Sequence, residues 1–192
     1  MSLTIVLSIA GVLVLFYLYG LYVSVIKNKN NVQEAMSGVD VQLRKRYDLI
    51  PNILTIANRY MEHEKGLLEE ITALRAKASS IKTNASSMKE KIDLDNAIAS
   101  KMGQLFVIVE NYPQLKADNT MMQAMQTYSE VEEHIAAARR FYNSSVKTLN
   151  NMVEIFPSSV VAAFVGVNPY PFFETDEGAR QSINASDYLY KN

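Results

Sequence analysis

Leu3 to Ile26, LTIVLSIAGVLVLFYLYGLYVSVI, contains no charged residue, and nothing else in the chain constrains its fold as strongly. A helix of roughly 24 residues at about 1.5 Å per residue measures about 36 Å and crosses a hydrocarbon core about 30 Å thick with some tilt. A cleaved secretory signal would carry a basic leader, a shorter apolar core and a small-residue cleavage site. Met1 and Ser2 have no side-chain charge, so the run reads as a membrane anchor, with Tyr17, Tyr19 and Tyr22 in its second half able to reach the headgroups. Lys27 and Lys29 follow it and Arg44, Lys45 and Arg46 come later. The positive-inside rule then puts residues 1–2 outside and the rest of the chain in the cytoplasm.

Beyond the anchor, apolar residues recur every three or four positions, and that spacing predicts helices. Val32, Met36, Val39, Leu43, Tyr47, Ile50, Ile53, Ala57, Tyr60, Leu67, Leu68, Ile71, Leu74 and Ala78 form a first stripe, read as one helix over about 32–80. NKNN (28–31) is the only break between membrane and stripe, and SSIKTNASS (79–87) reads as the first turn. Helices over about 88–112 and 119–156 follow, with Asn119 a candidate N-cap and Pro113 and Pro157 as stops. Amphipathic helices that cannot hide their stripes alone pack on one another. The expected fold is therefore all-α: an N-terminal transmembrane helix over 3–26, then an up-and-down bundle of three to four long helices over 28–157 with coiled-coil-like packing. Residues 158–173 are apolar but too short and too broken to span a membrane. They read as a short helix and extended arm over the bundle, with docking on a membrane or partner as the sharper alternative. Residues 174–192 read as a polar tail.

A chain of 192 residues with net charge −1 is a one-domain length and no nucleic-acid binder. Without cysteine it has no disulfide, no thiolate metal site and no cysteine nucleophile. His63 and His134 are its only histidines. Neither belongs to HExxH, and positions 60 and 131 are Tyr60 and Val131, so neither closes a Glu-x-x-His pair of the di-iron kind. No glycine-rich phosphate loop occurs, and Glu69, Glu70, Glu130 and Glu133 read as solvated helix faces. These absences predict a chain that is not an enzyme and holds no cofactor or metal.

What stands out is charge beside the stripes. Asp40, Arg44, Arg46, Asn52 and Glu64 in the first helix, and Glu132, Arg139, Arg140 and Asn143 in the third, adjoin apolar positions. Buried charge costs several kcal/mol unless paired, so these side chains are either interhelical ties that fix register or a binding surface. RKRYD (44–48) and RRFYN (139–143) also echo one another: cation, cation, any residue, tyrosine, Asp48 or Asn143, with Tyr47 and Tyr142 aligned. Pro51 lies inside the first stripe, whose phase does not change across it. The helix should run through with a bend, and Asp48 or Asn52 could satisfy the groups that proline frees.

VDVQLRKRYDLIPNIL (39–54), YMEHEK (60–65, with His63 and Glu64), ENYPQLKA (110–117, with Glu110 and Tyr112) and AARRFYN (137–143) together resemble the LemA family of bacterial membrane proteins. The resemblance covers nearly the whole chain. It implies an antiparallel bundle on one anchor in the bacterial cell membrane, supplies no catalytic residue, and suggests a membrane protease as partner. The expected function is a membrane-anchored, non-catalytic scaffold or adaptor that binds another envelope protein. The alternative is a self-associating membrane organiser, a homo-oligomer whose basic residues, Lys27 and Arg44 to Arg46, hold anionic lipid.

Overall fold

The computed structural model describes residues 2–81 and 87–173, so the polar tail and most of the first turn lie outside the described residues. Every element within them is helical. Helix α1 (Ser2–Ala57) is followed by a short 3-10 turn (Glu62–Glu64), α2 (Lys65–Ser80), α3 (Met88–Val109), α4 (Pro113–Lys116), α5 (Asn119–Glu154) and α6 (Ser158–Phe164).

The N-terminal apolar run and the first stripe as far as Ala57 are one uninterrupted helix, and NKNN does not break it. The reason lies in what flanks it. Val25 and Val32 are fully buried and seven residues apart, two turns on one face. Asn28 satisfies its own helix by donating to the Ser24 carbonyl (2.9 Å) and also meets Met152 Sδ on α5 (3.1 Å). Residues 3–20, by contrast, are exposed along their whole length, so the protein itself offers this apolar surface nothing to pack on.

The helix expected over 32–80 is two helices. Between Met61 and Leu67 the sequence is EHEKG, a polar run with no apolar residue to seat, and the chain turns back there. Met61 is fully buried as the pin of the turn, and the Tyr60 hydroxyl donates to Asp118 Oδ2 at 3.2 Å. Other boundaries move by a few residues. Helix α3 stops at Val109 because the residue before a proline avoids the helical region, and Tyr112 has φ −118° and ψ 83°. Pro113 then opens α4, where its missing N–H costs nothing, and Leu115 anchors that turn in the core. Asp118, one residue before the expected cap, caps α5 by accepting from the amides of Thr120 (2.8 Å) and Met121 (3.2 Å). Those amides, Met121 foremost, hold its carboxyl below the usual range.

Most of the core follows the helical spacing expected, joined by Met61, Leu115, Met121 and Val146, which lie outside the expected stripes. Val39, Leu43, Ile50 and Ile53 of α1, Ile71 of α2, Ile98, Met102 and Leu105 of α3, and Ile135, Val146 and Leu149 of α5 are buried in one cluster. Helix α5 runs back along α1, with Tyr60 near Asp118, Arg46 near Glu132 and Asn28 near Met152. Helix α2 also runs against α1, whereas α3 runs in the same sense, pairing Lys91 with Asp40 and Asp95 with Arg46. Gly166, at φ 68°, ends α6 in the left-handed conformation that favours glycine, and the Val167 amide donates to the Ala162 carbonyl at 3.0 Å.

Candidate functional site

Arg46 is the centre of the charged layer. It sits one turn before Ile50 on the buried face of α1 and is 0% exposed. Its guanidinium pairs with the Asp95 carboxylate of α3, donates to the Asp95 carbonyl (3.1 Å), and reaches Glu132 Oε1 of α5 at 2.8 Å. Asp95, also 0% exposed, takes a second cation, Arg139 of α5, whose guanidinium extends to Asn96 Oδ1 at 3.5 Å and lies 5.2 Å from the Phe173 ring centroid. Burial, then the nearby Arg46 charge, lower the Arg139 pKa. Two cations and two carboxylates meet here, so the cluster is neutral. One to two turns toward the N-terminal apolar run, Asp40 and Lys91 form a further neutral pair.

The echoed segments therefore split. Arg46 and Arg139 point inward and share one carboxylate, whereas Arg44, Lys45 and Arg140 are exposed. Tyr47 is buried, and burial raises its pKa. Tyr142 is buried and held up to about 12, chiefly by desolvation. Its hydroxyl donates to the Pro171 carbonyl (2.9 Å). Asn143 grips Phe173 twice: its Nδ2 donates to the Phe173 carbonyl (2.9 Å) and its Oδ1 accepts from the Phe173 amide (2.8 Å). Asn150, two turns along α5, does the same to Tyr170 at 3.0 and 2.9 Å. An asparagine amide has the donor and acceptor of a peptide group, so the two clamp the extended arm as a neighbouring strand would.

The helix runs through Pro51, but the freed group finds a different partner from the two expected. Proline at 51 leaves the Tyr47 carbonyl without its i+4 donor. Arg75 of α2 donates its Nε to that oxygen at 2.6 Å. Asp48 and Asn52 are exposed instead. His63 is exposed and Glu64 half-buried on the 3-10 turn, far in sequence from the layer, and exposed Glu110 pairs with Lys116 beside half-buried Tyr112. Asp40, Arg44, Tyr47 and Asp48 line an open groove of about 630 Å³ between α1 and α2, with Arg75 and Lys91 on its other walls.

Asp95, Lys91, Arg75 and Asn150 are absent from the sequence-derived set. A signal existed for two of them: Lys91 and Asp95 lie seven and three residues before Ile98, in phase with the α3 stripe. Chemically, the cluster sets its carboxylates against its cations. It can fix the register of α1, α3 and α5.

The family model described as LemA family matches residues 35–186, which takes in the charged layer, the proline turn and both arm clamps. The chain belongs to the LemA family. Protein LemA of Metamycoplasma hominis is 26% identical over 161 residues, 84% of this chain and 72% of that relative. Magnetosome protein MamQ 2 of Paramagnetospirillum magneticum is 27% identical over 86 residues, 45% of this chain and 32% of its own length. MamQ of Magnetospirillum gryphiswaldense is 27% identical over 85 residues, 44% and 31% of the two chains. The chain thus spans about a third of the magnetosome proteins it matches. Family membership and the lipid-length apolar helix make this LemA protein membrane-associated.

Proposed function

We propose that the chain is a membrane-anchored, non-catalytic scaffold: an antiparallel up-and-down helical bundle, held at the cytoplasmic face, that docks another envelope protein. The observation that carries this reading is the division of charge. Arg46 and Arg139 are consumed internally by Asp95 and Glu132, while Arg44 and Asp48 stand exposed at the mouth of the groove between α1 and α2. A partner of mixed charge and some apolar surface suits that groove, where Val41 is also exposed.

The alternative of anionic-lipid binding through Arg44 to Arg46 is weakened by two facts. Arg46 is buried, and Arg44 lies on the same unbroken helix as the anchor, roughly 27 Å past Ile26 at 1.5 Å per residue. That is several times the ~8 Å over which salt screens charge. Lys27 and Lys29 remain close enough to act on headgroups.

Affinity capture of the full chain from mild detergent, compared with the Arg44→Glu, Asp48→Lys double variant, tests the scaffold reading. A defined partner should be enriched with the native chain and lost with the variant. Equal recovery with both would place docking elsewhere, and no reproducible partner would sink the reading.

A further inference from the structure

The junction after α5 and the outer side of α6 carry an apolar surface that the helical body does not cover. From Ile155 to Phe173 there is no charged residue. One side of α6 faces protein: Ala162 is fully buried and Val161 and Val165 are half-buried. The other side faces outward, with Ile155, Phe156 (78% exposed), Val160 and Phe164 (92% exposed). Exposed aromatic and aliphatic side chains gathered on one short segment mark an interaction surface.

Its place in the fold says which. Met152 Sδ meets Asn28 Nδ2 at 3.1 Å and Ser24 Oγ at 3.7 Å, so the end of α5 lies level with the last turn of the apolar run. Val25 within that run is fully buried and Ile26 half-buried, so the run's last turn is already clad in protein. Helix α6 touches both α1 and α5. Because α5 travels toward the anchor, its end at Glu154, with Ile155 and Phe156 just beyond, lies about 3 Å nearer the bilayer than Met152 at ~1.5 Å per residue. The outward apolar side chains therefore lie near the level at which the anchor exposes Tyr22 and Val23, with exposed Lys27 one turn above.

We propose that Ile155, Phe156, Val160 and Phe164 form a second membrane contact, a short interfacial segment seated in the headgroup and upper acyl region of the bilayer that α1 crosses. Two contacts set side by side hold the helical body at a fixed angle to the membrane, which a single helix free to swivel does not. An interfacial helix of this kind buries its apolar face about 5–10 Å below the headgroup boundary. The inference rests on α1 being inserted, and its test separates the two claims.

The chain has no tryptophan, so one introduced tryptophan reports alone. Phe164→Trp, Phe16→Trp in the anchor and Val107→Trp at the far end of α3 are all exposed positions that a larger ring does not crowd. Each full-length variant is reconstituted in phosphatidylethanolamine and phosphatidylglycerol vesicles, with and without brominated acyl chains. Phe164→Trp should emit to the blue of Val107→Trp and lose intensity to bromine near the headgroups more than to bromine at the chain ends, while Val107→Trp loses none. Phe16→Trp quenched with Phe164→Trp matching Val107→Trp overturns the second contact and leaves the anchor standing. Phe164→Trp shielded from aqueous iodide yet untouched by brominated lipid also overturns it, because a second copy or another protein then covers the surface. An unquenched Phe16→Trp removes the anchor and the inference together.

Discussion

RKRYD on α1 and RRFYN on α5 share the order cation, cation, any residue, tyrosine, Asp or Asn, and they hold different things. Arg46 and Arg139 approach Asp95 from opposite sides, but there the likeness ends. Around Arg46 three helices meet and bury it fully, and each partner is a charged group or a carbonyl. Around Tyr142 and Asn143, α5 meets extended backbone instead, and the partners are the peptide groups of Pro171 and Phe173. The neighbouring element decides the role of the motif. A charged side chain between helices is met chiefly by opposite charge, whereas an extended chain with free N–H and C=O groups is met by amide and hydroxyl. In both places an unmatched polar group would cost more than the match contributes.

That contrast predicts unequal losses. Asp95→Ala removes the carboxylate both arginines share and leaves buried Arg46 with Glu132 and backbone alone. Breaking a buried pair by deleting one partner costs about 3–5 kcal/mol. At ~2–4 °C per kcal/mol for a chain of this size, Tm should fall by roughly 6–20 °C, read by circular dichroism in detergent. A loss smaller than that of any arm variant would mean the shared carboxylate is dispensable.

The clamps come next. Asn143→Ala and Asn150→Ala each delete a donor and an acceptor facing the arm, for about 1–3 kcal/mol apiece. The effect should be local. Amides of Tyr170 and Phe173 should exchange with solvent much faster, while those of α1 and α3 keep their protection. Uniform loss of protection would show that the arm is integral to the core rather than strapped across it.

The helical class and most buried apolar positions could be read from spacing, because a stripe such as Val39, Leu43 and Ile50 reports its own burial locally, whereas buried Met61, Leu115, Met121 and Val146 lie outside the expected stripes. The helix ends were less legible. NKNN looks like a break until Val25 and Val32 are seen packed on either side, and EHEKG looks like surface until the chain is seen reversing there. The site was half legible: the arginines announced themselves as charge beside a stripe, but Asp95 and Lys91 sit in the stripe of a helix whose acids and lysines look ordinary. Arg75 could not have been found from spacing at all. Its tie to the Tyr47 carbonyl depends on Pro51 freeing an oxygen 28 residues away, a pairing only the turn at Met61 creates.

Tyr142 sharpens the comparison through pH. Its folded pKa is raised to about 12 against an ordinary 10.0, so the folded chain keeps a proton that the unfolded chain gives up. Its contribution is fully present below pH 10 and is lost as pH climbs from about 10 to about 12. Tyr142→Phe should flatten that part of the alkaline unfolding curve and cost about 1 kcal/mol at neutral pH for the bond to Pro171. An unchanged alkaline slope would assign the effect to Tyr47 and Tyr128, which burial also raises.

The smallest effect is expected from the outward members of the two motifs. Arg44 and Arg140 flank the two buried arginines in sequence, carry the same charge and are exposed. Replacing either with alanine should change stability by no more than about 0.5 kcal/mol, the range for surface positions away from caps and networks. If the groove beside Arg44 is the docking surface, Arg44→Ala should nonetheless weaken partner capture, and Arg140→Ala, absent from the residues lining that groove, should not. A stability loss at Arg44 comparable to that at Asp95 would place Arg44 in the buried network and erase the distinction between the charges that build this fold and those it leaves outside.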